Sequence, residues 1–580
     1  GGTANGNGSI AIGWQTNAKN DATAVGSNAQ ATDKDSVAVG KNSNAAGESA
    51  TAVGSSATVS GRGGVAVGWN AESAVNAVGV GFNAKAKANN TVAIGVEANN
   101  DKVNAISNNY SSVSVGVATR ARAVGSMAMG VSADASGNYS IALGSGDVRG
   151  DFTANANYPK ATGEKAIAIG KSSGATNDRA LAVGVNAKAT GKDTVAVGSG
   201  AGGTVGLGFA SSIDDNKGVV QTIKNINVAT TADGDNAVAV GHYANAMNSG
   251  VALGQNTLAA TGGVAIGKGV FEDTNNVDAG GTVIGQDSTV TGFYSLAVGR
   301  YTFASGSTSM AMGYDASAKG NYAVAMGRKV IADGTSTAIG HHAVATNGGL
   351  AIGSQDNDAS KDKTTASASG AVAIGKNTQS TLKGAVALGS DSTTATNATK
   401  QESVTINGIT YNFAGATSDT GMQVSVGAAG KERQIKNVAA GEVSATSTDA
   451  INGSQLFAIA SQIKPIQYFA VNSSVADNKD NTGATGSDSV AIGPKAKAQA
   501  VSSIALGNNA TAAGGNSIAI GNTSSATDKQ SPISIGYGAT ANGDFSIAIG
   551  GGDNNTNYGA TANGVGGTAL GGRTKTTGGN

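Results

Sequence analysis

The sequence predicts an all-β protein wound as a parallel β-roll of about 14 residues per coil. Three observations carry that prediction. A phrase of the form small-Val-Ala-Val-Gly recurs, ending at Gly40, Gly54 and Gly68, 14 residues apart each time. Large side chains are scarce: Gly is 89 of 580 residues and aromatics are 4%, too few for a set of ordinary globular cores. Within the phrase both alternating phases are apolar, Val37 and Val39 on one and Ala38 on the other. A strand points these to opposite faces, so both faces need cover.

The phrase ends at intervals of mostly 13 or 14 from Gly13 to Gly389, then resumes from Gly493 to Gly571. Two strands of five and two turns of two would make one such coil, with the phrase Gly supplying turn backbone. The second strand alternates small and polar residues, as in Asn83-Ala84-Lys85-Ala86-Lys87-Ala88. If Lys85 and Lys87 face solvent, Ala84, Ala86 and Ala88 face inward, and Lys85→Ala should leave assembly untouched. By the same alternation Ala93 points inward while Val92 and Ile94 point out. Roughly thirty coils stacked at about 4.8 Å would make a rod on the order of 140 Å. Along it Val37, Val39, Val53, Val65, Val67, Val92 and Ile94 form an outward stripe far larger than a soluble monomer exposes. The stripe is expected to meet other copies of itself in a closed cyclic oligomer, of two or three chains on periodicity alone.

Composition excludes several classes. Lys plus Arg and Asp plus Glu are 38 each, which favours neither nucleic acid nor an anionic membrane as partner. There is no Cys, so no disulfide, thiolate metal site or cysteine nucleophile. No apolar run approaches the roughly 18 residues of a membrane span, so no direct membrane insertion is expected. The chain begins in mid-repeat without a signal-peptide pattern, and is expected to be a fragment of a longer one.

Departures from the period mark insertions near 97–112, 146–164, 201–236, 269–280 and 355–370, where function is expected to concentrate. Within them 213–231 has its own apolar pattern and reads as a small β excursion. From 401 the period stops. Alternation at Val404, Ile406, Tyr411 and Phe413 still reads as strand. Ser447 or Thr448 reads as the N-cap of a helix of about 15 residues. Its apolar seam is Leu456, Ile459 and Ile463, and Pro465 stops it.

These coils, followed by RQIKNVAAGEVSATSTDAINGSQL from Arg433 to Leu456, resemble a trimeric autotransporter adhesin of the YadA type. Tyr468-Phe469-Ala470-Val471-Asn472-Ser473 resembles the short link from coiled coil into a second head, with Ala470 where the family has His. The resemblance implies a left-handed roll, a homotrimer and a bacterial-surface passenger region of an outer-membrane protein. It divides the chain into a first head (1–400), a β-rich insert (401–432), a neck (433–456), a short coiled coil (457–466) and a second head (467–580). It places Ile435, Val438 and Ile451 in the trimer contact with the seam residues. The family's export signal and membrane anchor are expected to lie outside this sequence.

Nothing here reads as catalytic, and no cofactor or metal is expected. His242, His341 and His342 follow phrase glycines and read as turn residues; Trp14 and Trp69 read as turn-packing aromatics. Gly79-Val80-Gly81 lacks the helix a phosphate loop needs. Arg120, Arg122, Arg300, Arg328, Lys329, His341 and His342 are the candidate ligand contacts. Taken with the resemblance, the sequence reads as a non-enzymatic adhesin. Its expected partners are matrix proteins, cell-surface receptors or sister adhesins, with autoagglutination and biofilm among its expected roles. A structural spacer is the alternative. A polysaccharide-cleaving β-helix would need a groove of carboxylates, and an ice-binding solenoid Thr ladders; neither pattern is present.

Overall fold

The computed structural model describes residues 1–96, 106–107, 110–146, 157–200, 229–272, 280–355, 363–406, 408–416, 421–462, 482–553 and 559–578. It divides into two compact units, 1–437 with 444–448, and 438–443 with 449–580.

The first unit is a two-sided parallel β-solenoid. Each coil contributes one strand to each of two ladders. Val37–Val39 stacks on Thr51–Val53, with Val37 opposite Thr51, Ala38 opposite Ala52 and Val39 opposite Val53. Gln30 and Ala31 stack likewise on Asn44 and Ala45 in the other ladder. Because the register shift equals one repeat, every coil sets like residues over like, and the backbone pairs fully with the coils above and below.

The coil is more finely divided than two five-residue strands. The phrase strand has three residues in many coils and five in others, such as Leu296–Arg300, while the second strand mostly has two, such as Gln30–Ala31. The turns explain the difference. A residue with positive φ occurs every seventh position: Asn28, Asp35, Asn42, Ser49 and Ser56, all with φ of 57–59°. A coil is therefore two seven-residue halves, each closed by one left-handed residue. Asn, Asp and Ser suit this position because their short side chains tolerate it and bond locally.

The phrase glycine does more than open a turn. Gly40 has φ 132°, and a Cβ there would overlap the carbonyl of Gly54 in the next coil. Glycine thus lets successive coils approach. The small residue that opens the phrase closes the preceding turn: Ser36 Oγ donates to the Asp33 carbonyl at 2.6 Å.

The interior is alanine. Ala38, Ala52, Ala66 and Ala93 are wholly buried, while Val37, Val39, Val53, Val65, Val67 and Val92 are half-buried and Ile94 is exposed. Larger inward residues are matched by glycine across the roll: a Cβ on Gly64 would overlap the Val59 side chain. The roll is so thin that one methyl per position fills it.

Lys85 departs from expectation. It lies between inward Ala84 and Ala86 in sequence, yet is only 7% exposed. Its ammonium pairs with Glu72 of the preceding coil and donates to the Asn70 carbonyl at 3.3 Å. In-register stacking sets Glu72 directly beside it, so Lys85→Ala would leave Glu72 with Lys87 alone, at 3.7 Å.

The ladders run on across the insertions. Val92 pairs with Val113, Ile141 with Ile167, Val195 with Val238, Val264 with Thr282 and Leu350 with Val372. Of the expected excursion at 213–231, residues 213–228 lie outside the described residues.

After the coils, Ser403–Ile406 and Ile409–Asn412 form an antiparallel hairpin with Val404 opposite Tyr411. Val424–Ser425 then returns to the phrase ladder against Val386 and Ala387. Arg433 clamps this end: its guanidinium donates to Ser392 Oγ at 3.0 Å and to the carbonyls of Val426 and Ser390 at 2.6 and 2.5 Å.

In the second unit the helix is Gly453–Ser461, nine residues with Asn452 as N-cap, rather than a longer helix capped at Ser447 or Thr448. Asn452 and Gln455 form a reciprocal capping box, which satisfies two otherwise orphan amides at this end. Gln455 also takes the Gly441 amide at 3.1 Å, and Asn452 Nδ2 donates to the Val438 carbonyl at 3.1 Å. These bonds tie the preceding segment to the helix start and fix where it begins. Ile463, Pro465 and 468–473 lie outside the described residues. A second roll repeats the plan, from Val490–Ile492 to Thr568–Leu570 and from Lys497–Ala498 to Lys575–Thr576.

Candidate adhesive surface

Two exposed features are built by stacking. The first is the apolar stripe. At each phrase strand the alanine goes in and its two neighbours go out, so Val37, Val39, Val53, Val65, Val67, Val92 and Ile94 lie along one side. In the other unit Ile451, Leu456 and Ile459 are all more than half exposed, and no helix residue is buried in the single chain. Ile435 is 71% exposed and Val438 half-buried.

The second feature is a ladder one residue past the phrase glycine. Alternation carries this position to the outward side. Arg300 lies in register with Tyr314, and Arg328 with His341, on adjacent coils. The Arg300 guanidinium lies 4.5 Å from the Tyr301 ring centre and donates to its hydroxyl at 2.7 Å. Arg328 lies 5.8 Å from the Tyr314 ring and 2.8 Å from His341 Nε2. Tyr301 and Tyr314 meet edge-on at 5.7 Å, and His341 and His342 at 4.5 Å. Such contacts hold guanidinium groups on rigid aromatic surfaces.

The turns here break the pattern of the early coils. Tyr294, Tyr301, Tyr322, Lys329 and His342 hold left-handed positions that Asn, Asp and Ser hold between 28 and 56. Bulky side chains pay for that conformation, and such strain clusters at functional surfaces. His341 ends the strand Thr337–His341, whereas His342 is in the turn.

The other sequence candidates lie apart from this ladder. Arg122 pairs with Asp134 at 2.5 Å, and Asp134 is 1% exposed. Burial, with Arg122 beside it, lowers the Arg120 guanidinium from its usual value. Trp69 stacks on Phe82 one coil on, at 4.7 Å and 19°, so it packs along the coil axis; Trp14 is 65% exposed. Sequence reasoning missed Tyr301 and Tyr314. The signal was there: Tyr314 follows a phrase Gly, at the spacing that places Arg300 and Arg328, and Tyr301 is one residue further on, in the turn.

Comparison with known proteins decides the family. A model of the YadA head domain repeat matches thirteen segments from 3–16 to 533–552, and one of the coiled stalk of trimeric autotransporter adhesins matches 434–465; together they cover more than half of the chain. The chain belongs to the trimeric autotransporter adhesins. The autotransporter adhesin BtaE of Brucella suis is 45% identical over 114 residues, 20% of this chain and 14% of that protein. The C-terminal YadA-like domain of a Burkholderia pseudomallei protein is 51% identical, covering 17% of this chain and 44% of that one, with a TM-score of 0.16. The chain thus matches less than half of each relative's length. Membership in the trimeric autotransporter adhesins implies a homotrimer exposed at the cell surface. No helix among the described residues is long and apolar enough to cross a membrane.

Proposed function

We propose that this chain is a non-enzymatic passenger region of a bacterial surface adhesin. Three copies pack their Val/Ile stripes together as left-handed rolls, and the rod so formed attaches to host cells, matrix or other surfaces and to sister rods in autoagglutination. The observation that supports trimer packing is the stripe itself, half-exposed at coil after coil and otherwise without cover. The contacts are Val37, Val39, Val53, Val65, Val67, Val92 and Ile94 in the roll, and Ile435, Val438, Ile451, Leu456 and Ile459 in the neck and helix.

The adhesive contact is the ladder Arg300–Tyr301–Tyr314–Arg328–His341, with Lys329 and His342 in its turns. Stacked guanidinium groups suit an anionic surface polymer. Three copies per rod turn weak contacts into strong attachment through effective concentration.

The uniform Asn/Asp/Ser turns of the early coils favour a spacer role for that stretch, with adhesion confined to the ladder. Attachment of the intact chain to matrix-coated, cell and abiotic surfaces is the test, beside an R300A/R328A variant. Loss of about tenfold or more in the variant, with the trimer intact, is the expected result. Equal attachment by both overturns the ladder, and no attachment by either leaves the spacer reading for the whole chain.

A further inference from the structure

The coils that carry the arginine ladder have a second edge. Each coil turns once after its phrase strand and once before it, so the two turns lie on opposite edges of the flat roll. The ladder stands at the first. At the second, Asp21, Asp35, Ser49 and Asn76 hold the left-handed residue in the early coils. Later Tyr139, Tyr294 and Tyr322 hold it, with φ of 59, 52 and 60°. That conformation disfavours bulky side chains. Packing does not explain the tyrosines either, since Tyr294 is 70% exposed and Tyr322 66%.

Stacking sets the spacing of these rings. The Thr308 amide donates to the Phe293 carbonyl at 2.7 Å, and the Tyr322 amide to the Ser307 carbonyl at 2.9 Å. Tyr294 and Tyr322 therefore stand two coils apart, about 10 Å, with the smaller Thr308 between them. The arrangement recurs earlier in the chain. The Gly125 amide donates to the Tyr110 carbonyl at 3.0 Å, and the Tyr139 amide to the Val124 carbonyl at 2.7 Å. Tyr110 and Tyr139 are thus also two coils apart, and both are more than half exposed. The Tyr139 ring lies back over Gly125, where a Cβ would come within 2.7 Å of it.

Charge and spacing select the occupant. The turns 110–112, 124–126, 138–140, 293–295, 307–309 and 321–323 contain no acidic or basic residue. Ser, Thr and Asn flank the rings; Asn321 Oδ1 accepts the Ser307 amide at 2.9 Å, between the two tyrosine coils. Aromatic rings with polar neighbours suit pyranose sugars, whose C–H faces stack on a ring while their hydroxyls bond at its rim. An extended β-linked chain advances by about one coil spacing per sugar, and every second sugar presents the same face. Rings two coils apart match that repeat.

We propose that this edge binds an uncharged, extended polysaccharide laid along the stack of coils, at Tyr294 and Tyr322 and again at Tyr110 and Tyr139. The surface is separate from the arginine ladder and adds to the adhesion assigned there.

Titration calorimetry on the intact trimeric chain tests this, with cellohexaose, chitohexaose and the flexible, α-linked isomaltohexaose. Binding of at least one of the two β-linked sugars is expected, and none of isomaltohexaose. Asparagine holds this turn position at Asn76 and Asn90, so tyrosine-to-asparagine changes keep the turn. Y110N/Y139N/Y294N/Y322N is expected to bind about tenfold or more weakly, with the trimer intact by light scattering. R300A/R328A is expected to bind these sugars as the intact chain does, which separates this edge from the ladder. The proposal is overturned if the intact chain binds neither β-linked sugar, or binds isomaltohexaose equally well. It is overturned too by equal binding in the asparagine variant, or by the same loss in R300A/R328A. A trimer that dissociates in the asparagine variant also overturns it, because the edge then belongs to the contact between copies.

Discussion

At the scale of single residues the roll is governed by what fits between coils about 4.8 Å apart. Gly40 shows this most directly, because its positive φ and the carbonyl of Gly54 each forbid a side chain. Gly40→Ala is expected to cost on the order of 2–4 kcal/mol locally, seen as a lower melting temperature. Replacing Asn42, one turn on, by Ala should cost less, since only the left-handed preference and one exposed hydrogen bond, accepted from Asn28 Nδ2 at 3.0 Å, are lost. An equal loss in both would mean that turn preference, not coil contact, selects the phrase glycine. The glycine repeat was legible in the sequence, but its second reason was not: the carbonyl it makes room for belongs to a residue 14 positions away.

At the scale of elements, the helix start teaches the same lesson from the other side. Ser447 and Thr448 are good caps by type, yet Asn452 holds the position because Gln455, three residues on, completes the box and reaches back to Gly441. An Asn-x-x-Gln pair was visible in the sequence and is the better signature. Asn452→Ala is expected to cost about 1 kcal/mol and to reduce helical circular dichroism, whereas Ser447→Ala leaves both unchanged. The ladder is likewise an element-scale object. Arg300, Arg328, His341 and His342 were legible as candidates, while Tyr314 became part of it only once stacking set it beside Arg328; Tyr301 is the sequence neighbour of Arg300.

At the scale of the whole molecule, the proposed packing of stripe on stripe would make assembly part of the fold. Pairing Val37→Asp with Val39→Asp puts charge on the outward side without touching Ala38 in the interior. It is expected to open the coils around 23–53 to limited proteolysis, with the circular dichroism unchanged and the rest of the assembly intact. Light scattering that finds the unmutated chain as a stable monomer would overturn the packing itself.

The sequence by itself determined the period, the inward alanines and the outward stripe, because these follow from the two-residue alternation of a strand and a fixed return length. Only the tertiary structure decided that Lys85 is buried beside Glu72 and that Arg328 rests on Tyr314. Each of those depends on the neighbour one coil away, and in-register stacking, not sequence adjacency, chooses that neighbour.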